Sequence, residues 1–328
     1  MIPPTIMIQG SSNKERYFNF CNSGKNVPLF LQPWWMNAVC KAKDWWEVFL
    51  YEENDEIKGV FICNIVKKTG LKMIIQPQLT QYNGIWLDYG NELSDNDKIH
   101  FEKKAIGNLL VQLNDFGFDY FNQNFPLNFV NWLPFYWQKF SQTTRYTYQL
   151  TGINNPEACF EKFSYAKKKQ IRKAQKELTV STKMSAEDFY VHLTAYQTSR
   201  RQKMIYSDSF FMNLYNSCKS KNQGEIIAVI DSKSVVHAAL FIVWDNLTGY
   251  NLISTIHPDY KNSGASTLVV FEAIKYLSDK VQTFDFEGSM DAGIENSFSQ
   301  FATVQLPYFS IKKYNSLTTR ALFPIFKL

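Results

Sequence analysis

Apolar positions in the first half of the chain follow helical spacing in some stretches and form short runs in others. Apolar residues three and four apart predict helices, and apolar runs between polar turns predict strands. Ser94 stands where a helix-capping residue is expected, and Gly117 ends the helix that follows. The predicted elements are a helix at 30–42, a strand hairpin at 46–52 and 59–66, a helix from 94 to 117 and a strand at 118–122.

The second half repeats this order of helix, hairpin, helix and strand. Its predicted elements are helices at 156–178, 186–201 and 209–220, strands at 179–183, 225–230, 235–244 and 249–254, a helix at 265–278, a strand at 283–286 and an extended segment at 308–313. Hairpins combined with strand–helix–strand crossovers favour mixed sheets. We therefore predict an α/β protein of two similar domains, residues 1–145 and 146–328.

Composition and cysteine usage narrow the class of protein. The chain has 328 residues, of which 45% are hydrophobic and 20% charged, and this balance excludes a disordered chain. Five widely spaced cysteines without a Cys-x-x-Cys pair predict neither a disulfide framework nor a zinc site. The sequence shows no signal-peptide pattern and no apolar run of about 18 residues. We expect a cytoplasmic protein without a transmembrane segment.

The net charge of +5 is concentrated in one segment. Between Lys162 and Lys176 there are seven basic residues and no acidic one. On a helix, Lys168, Arg172 and Lys176 lie four residues apart and share one face. Such a face suits a phosphate-bearing partner, although a solvated helix surface has the same pattern.

A loop between a strand and a helix, at 257–266, is a second candidate. Lys261, Ser263 and Gly264 stand where the helix begins, and backbone N–H groups at such a helix start can bind phosphate. An ordinary strand-to-helix turn, with glycine chosen for its geometry, is the alternative.

The third candidate is the segment 284–293. Asp285 and Glu287 alternate with phenylalanines and therefore project to one side of a strand end, which Gly288 and Ser289 terminate. Two carboxylates there can deprotonate an amine or hold an ammonium group, while a capping or salt-bridge role is the alternative. No catalytic triad, phosphate-binding glycine motif or His/Cys metal cluster accompanies them.

Several of these segments resemble FemABX-like acetyltransferase proteins of the GNAT superfamily. The basic segment 164–174 (SYAKKKQIRKA) is similar to the family's K-x-R-x-x-I-R-x-A helix. Segments 267–277 (TLVVFEAIKYL), 284–290 (FDFEGSM) and 301–313 (FATVQLPYFSIKK) follow in the family's order. In the first half, only 31–39 (LQPWWMNAV) is similar. The resemblance implies two GNAT-like subdomains.

The resemblance also implies transfer of an acyl or aminoacyl group to an amine. It places Lys168 and Arg172 on a helix that meets a substrate diphosphate, and Asp285, Glu287 and Gly288 on a strand that lines the acceptor cleft. Three departures stand out. The Phe-Lys-x-x-Phe-Gly motif of peptidoglycan enzymes has no lysine at 297–302 (SFSQFA). The place of the lysine that usually ends the entry helix falls near Cys40 or Lys41, and the acyl-CoA loop retains one glycine at 260–266.

We therefore expect an N-acyltransferase with acyl-CoA, such as acetyl-CoA, as co-substrate and a small-molecule or cell-envelope amine as acceptor. Neither a metal nor a DNA partner is expected. The alternatives are a Fem-type transferase that uses aminoacyl-tRNA, a non-catalytic GNAT-like protein that binds phosphate or RNA, and a scaffold whose exposed aromatic residues form a protein interface. Because a thioester is already activated, the lack of a catalytic triad does not count against acyl transfer.

Overall fold

The computed structural model describes residues 12–40, 44–90, 93–288, 290, 292–316 and 319–320. These residues form one mixed sheet of twelve strands with helices on both faces. The strands are β1 (Asp44–Glu53), β2 (Glu56–Lys68), β3 (Leu71–Ile75), β4 (Gly84–Leu87), β5 (Tyr120–Asn124), β6 (Ser141–Thr151), β7 (Thr179–Ser181), β8 (Gly224–Ile230), β9 (Val236–Trp244), β10 (Thr248–Ile256), β11 (Thr283–Asp285) and β12 (Val304–Tyr314).

Serine residues define where several helices begin. The helices are α1 (Asn13–Asn22), α2 (Pro33–Val39), α3 (Asp95–Phe116), α4 (Leu133–Trp137), α5 (Pro156–Lys162), α6 (Tyr165–Glu177), α7 (Ala186–Ser199), α8 (Asp208–Ser220), α9 (Ala265–Leu277) and α10 (Ala292–Ser299). Ser94, Ser164 and Ser185 each accept a hydrogen bond from the backbone N–H three residues later. Each serine therefore satisfies one of the unpaired N–H groups at a helix start.

The two halves of the chain share a continuous sheet and exchange their last strands at its centre. The strand order is β1-β2-β3-β5-β12-β6-β11-β10-β9-β8-β7, and β4 pairs with β2. Strand β12, from the end of the chain, lies between β5 and β6, whereas β6 pairs with β11 of the second half. The predicted boundary between residues 145 and 146 lies inside β6, so this strand belongs by position to the second half.

One of the three apolar clusters also joins the halves. It packs Trp35 and Phe30, near α2, together with Phe189 and Phe211, from α7 and α8, and with Tyr250 of β10. The second cluster lies under α9, and the third lies under α3. Because the first cluster draws on both halves, it holds them in a fixed relation around the space between them.

Several sequence-based boundaries are corrected by the structure. The single helix predicted at 156–178 is wrong: it breaks between α5 and α6, where Phe163 is extended and Ser164 starts a new helix. The helix predicted at 30–42 begins as a 3₁₀ turn at Leu29–Leu31 and continues as α2, while residues 41–43 lie outside the described residues. The sequence analysis also missed α1, α4 and α10, which are short or weakly apolar, and took the stretch containing β3 and β4 as irregular.

Candidate active site

A cavity of about 500 Å³ opens between the two halves of the chain. Its lining includes Trp34 and Tyr82 from the first half, and Gln149, Tyr250 and Asp285 from the central strands and the second half. Asp285 is the last residue of β11 and is 1% exposed. Its neighbours Phe284 and Phe286 point to the opposite face, into the cluster under α9. The alternation of the strand therefore turns this carboxyl toward the cavity.

The Asp285 carboxyl is held by a dense set of hydrogen bonds. Oδ1 accepts from Thr147 Oγ1 at 2.5 Å, from Gln81 Nε2 at 3.1 Å and from the Glu287 backbone N–H at 2.7 Å. Oδ2 accepts from Gln149 Nε2 at 2.8 Å. Burial raises the pKa of this carboxyl above its ordinary value, while these hydrogen bonds oppose the rise. The result is a carboxyl of fixed position at the edge of the cavity.

Glu287 is the contrasting member of the pair, since its Oε1 atom is enclosed and has no hydrogen-bond partner among the described residues. Burial, and then the charge of Asp285, raise the pKa of Glu287 well above its ordinary value. Its backbone lies in the left-handed region, with φ of 53°. An enclosed carboxyl oxygen without a partner is costly, so Glu287 is a candidate for meeting a ligand.

Gly288 explains why the chain can turn so sharply beside Asp285. A Cβ atom at this position would lie 1.8 Å from the carbonyl oxygen of Tyr146 and 2.5 Å from Thr147 Cα, so only glycine fits against β6. The Gly288 N–H donates to Thr147 Oγ1 at 3.0 Å. Ser289, predicted beside it as a binding residue, lies outside the described residues.

Two tyrosines and an aspartate form the wall of the cavity near this pair. The hydroxyls of Tyr82 and Tyr250 lie 3.0 Å apart, and Tyr250 Oη lies 3.4 Å from Asp245 Oδ2. Burial raises the pKa of both tyrosines well above the ordinary value, so both hydroxyls are neutral hydrogen-bonding groups. They join a strand of the second half to the segment before β4 of the first half.

A gap between two parallel strands leads toward the predicted phosphate loop. Strands β10 and β11 pair through three residues each, ending at Tyr250 and Asp285. Strand β10 continues to Ile256, and α9 begins shortly after, with Gly264 as its N-cap at φ of 83°. The edge of β10 beyond Tyr250 is therefore not paired with β11.

Gly264 has a packing role that the sequence did not reveal. A Cβ atom there would lie 2.7 Å from the carbonyl oxygen of Gln170, because α6 packs directly on the start of α9. Lys173 Nζ lies 3.3 Å from the carbonyl oxygen of Asn262 in the same loop. Lys261 is exposed and Ser263 is half-buried. The loop is thus braced by α6, and glycine is required there whether or not a phosphate binds.

The basic helix does not bring its predicted cations to this loop. Lys168 Nζ lies 3.3 Å from Glu161 Oε2 on α5, and the Arg172 guanidinium lies 5.5 Å from the centre of the Phe160 ring. Both side chains therefore face α5, on the flank opposite the one that contacts the α9 loop. The basic segment considered in the sequence analysis begins at Lys162, one residue after Glu161. The carboxylate that pairs with Lys168 was therefore not counted.

A different lysine on the same helix is buried. Lys167 Nζ donates to Ser297 Oγ at 2.8 Å and lies 4.5 Å from the centre of the Phe301 ring. Burial lowers the pKa of Lys167 to about 8. The segment 297–302 contains no lysine, and Lys167 of α6 contacts this segment instead.

The structure thus brings together Asp285, Glu287 and Gly288, and it places Lys168 and Arg172 apart from them. The sequence analysis missed Thr147 and Gln149, although their alternation on β6 was a usable signal. It also missed Gln81, which lies 204 residues from Asp285 along the chain and left no local signal.

Within the described residues, no group of three or more histidine, cysteine, aspartate or glutamate side chains is arranged to hold a metal ion. None of the helices in the same part of the chain is both long and apolar enough to span a bilayer.

Comparisons with known proteins agree with this architecture. Residues 161–294 match the acetyltransferase (GNAT) domain family. A crystal structure of FemX matches with a TM-score of 0.71 and 12% identity, covering 98% of this chain and 100% of that one. L-PGS from Bacillus licheniformis matches with a TM-score of 0.56 and 9% identity, covering 96% of each chain.

A tandem GNAT protein from the clavulanic acid biosynthesis pathway is also similar, with a TM-score of 0.52 and 5% identity over 83% of each chain. No curated protein sequence is significantly similar to this chain. At these identities the structural likeness establishes the fold, and the family match over 161–294 establishes the domain type. Residues 161–294 therefore belong to the acetyltransferase (GNAT) domain family, which makes this part of the chain an acyltransferase domain, and the chain as a whole has the same fold as FemX.

Proposed function

We propose that the chain is an N-acyltransferase whose acceptor amine binds in the cavity between the halves, against Asp285 and Glu287. The observation that carries the proposal is the enclosed, unpaired Oε1 of Glu287 beside a fully hydrogen-bonded Asp285. An amine arrives mostly as an ammonium ion at neutral pH, and it must lose protons before its nitrogen can attack a carbonyl. A carboxylate with a raised pKa suits that proton transfer.

The reaction needs few groups from the protein. The amine nitrogen attacks the donor carbonyl, a C–N bond forms, the C–S bond of a thioester breaks, and the proton from nitrogen passes through the carboxyl to the leaving thiolate. Asp285 is fixed by four hydrogen bonds and supplies negative charge. Glu287 is the member free to receive the proton. Alignment of the amine with the activated carbonyl supplies the remaining acceleration.

Acyl-CoA is the donor we propose first. The unpaired edge of β10 beyond Tyr250 can hydrogen-bond the amide groups of an extended arm, as a missing strand would. That edge runs toward the start of α9, where Gly264, Ser263 and Lys261 lie, and a helix N-terminus favours phosphate.

An aminoacyl-tRNA donor is the second candidate, because the likeness to FemX extends over the whole of both chains. With that donor an ester bond, rather than a thioester, breaks. The carboxyl pair serves either donor in the same way. With this donor, a cell-envelope amine and a small-molecule amine are equally suitable acceptors.

The test is product formation from each donor with a panel of primary amines, followed by mass spectrometry. We expect the wild-type protein to give a product heavier by the acyl group, and D285N to be slower by about a hundredfold or more. D115N, which changes an exposed aspartate near the end of α3, is the matched control and should retain full activity. No product from either donor, or equal rates for D285N and D115N, would overturn the proposal.

A further inference from the structure

Gln81 belongs to the first half of the chain, yet its side chain reaches the Asp285 carboxyl. Its Nε2 atom donates to Asp285 Oδ1 at 3.1 Å and to Thr147 Oγ1 at 3.0 Å. Thr147 lies on β6 and Asp285 on β11, so one amide ties the segment before β4 to two central strands. A group of the first half therefore lies beside the carboxyls proposed to react.

The partners of this amide fix which way round it lies. The Thr147 hydroxyl donates its single proton to Asp285 Oδ1 at 2.5 Å, so its oxygen can only accept from Gln81. A carboxylate oxygen also only accepts. The opposite orientation of the amide would set Gln81 Oε1 against two acceptors, and both protons of Nε2 are therefore directed at Asp285 and Thr147.

This orientation leaves Gln81 Oε1 as an acceptor without a donor. The atom is enclosed, and no hydrogen-bond partner meets it among the described residues. Glu287 Oε1 is in the same condition, and the Glu287 backbone N–H donates to the Asp285 oxygen that Gln81 also contacts. Unpaired enclosed oxygens are costly, so the two together indicate a ligand that supplies two donors.

The backbone of Gln81 is braced by β5, which gives its side chain a fixed base. Asn124 Nδ2 donates to the Gln81 carbonyl oxygen at 3.1 Å, and the Asn83 backbone N–H donates to the Asn124 carbonyl oxygen at 2.8 Å. The next residue, Tyr82, is buried and forms part of the cavity wall. Gln81 is thus held at the candidate active site from both sides.

We propose that Gln81 binds the acceptor amine in the transfer proposed above, on which this role rests: its Oε1 accepts one N–H while Glu287 takes the other proton. A neutral primary amine has two N–H groups and a lone pair. As the lone pair attacks the donor carbonyl, the C–N bond forms and the bond to the leaving group breaks. One proton passes through Glu287 to the leaving group, and the other stays on the product nitrogen, bound to Gln81. The two contacts orient the lone pair for attack.

This geometry distinguishes a primary amine from its N-methyl counterpart. The methylated amine has one N–H when neutral, so either Gln81 or Glu287 loses its partner. Methylation changes the basicity of an alkylamine little, so protonation does not account for a difference. The oxygen left unpaired should cost the methylated amine about tenfold or more in kcat/KM.

The test compares kcat/KM for the best primary amine of the panel with that for its N-methyl counterpart. In the wild type, the primary amine should be favoured by about tenfold or more. In Q81L, which lacks both amide heteroatoms, the ratio should fall to within about threefold. Each ratio is measured on one protein sample, so a smaller folded fraction cancels.

Two matched variants separate this role from a structural one. Q78L removes another enclosed, unpaired amide oxygen three residues away, from a side chain whose Nε2 donates to the Ile205 carbonyl oxygen. Q149L removes a donor to Asp285 Oδ2. Both should keep the wild-type ratio, although Q149L should be slower with both amines. An unchanged ratio in Q81L, or an equal fall in Q78L or Q149L, would overturn the role of Gln81.

Loss of this role and loss of the proposed function give different results. Product formation with the same ratio in Q81L and wild type leaves the transferase standing and refutes the role of Gln81. If no amine gives product, the proposed function fails, and calorimetric titration with the same amine pair decides the binding role. Tighter binding of the primary amine by the wild type but not by Q81L supports it, whereas equal or absent binding overturns it.

Discussion

At the scale of single residues, Glu287 carries a cost of burial that a bound ligand would relieve. Its Oε1 is enclosed without a partner, and both burial and the charge of Asp285 hold its pKa well above the ordinary value. The folded protein therefore holds this proton to higher pH than the unfolded chain does. By linkage, stability falls as pH rises from the unfolded pKa toward the folded one.

The E287Q variant should accordingly be more stable than the wild type at pH 7, because glutamine carries no charge to bury. We expect a melting temperature higher by about 2 °C, with the advantage vanishing near pH 4, where the unfolded carboxyl is also protonated. Scanning calorimetry at the two pH values measures this. E177Q, at the exposed end of α6, should show no gain; equal melting temperatures for wild type and E287Q at pH 7 would refute the burial of charge at this residue.

The sequence predicted the two carboxyls but not their unequal surroundings. Alternation with Phe284 and Phe286 was enough to place Asp285 and Glu287 at a strand end. It could not show that Gln81 and Thr147 would reach Asp285, because those contacts depend on how distant strands meet in the sheet.

At the scale of elements, α6 buries a cation where the sequence suggested an exposed basic face. Lys167, Ile171 and Ala174 form its buried side. The Lys167 ammonium lies against Ser297 and the Phe301 ring, and this contact fastens α10 to α6. Charge pattern alone did not reveal this, because seven basic residues spread over positions 162–176 point to several faces of the helix and the pattern does not say which face is buried.

Replacing the buried lysine by an apolar residue tests this placement. With a pKa lowered to about 8, Lys167 carries a penalty for its charge that is present at pH 7 and disappears as pH rises from 8 toward the ordinary lysine value. K167M should therefore melt above the wild type at pH 7, with a smaller difference at pH 10. K169M, an exposed neighbour on α6, is the control. A K167M protein that gains no stability at pH 7 relative to K169M would contradict burial of the charge.

At the scale of the whole molecule, the sequence predicted two similar halves and not their exchange of strands. The order of helices and strands along the chain depends on local sequence, so the hydrophobic periodicity predicts it. The position of β12 between β5 and β6 depends on pairings across more than 150 residues, such as Phe309 with Thr144. The predicted division into residues 1–145 and 146–328 therefore cannot describe two independent sheets.

This continuity predicts a single unfolding transition. Because β12 is paired on both sides and one apolar cluster includes both halves, neither half should unfold alone. Denaturant curves followed by far-ultraviolet circular dichroism and by tryptophan fluorescence should coincide. Two separated transitions would show that the halves are independent.

The central claim is that the Asp285 and Glu287 pair takes up the proton of an acceptor amine. Its most direct test is the pH dependence of kcat/KM for that amine, measured for the wild type and E287Q with the donor that gives product. In the wild type the rate should rise through a pKa above the ordinary carboxyl range. In E287Q that step should be absent, and the rate lower by about a hundredfold or more. Identical pH profiles for the two proteins would contradict the claim.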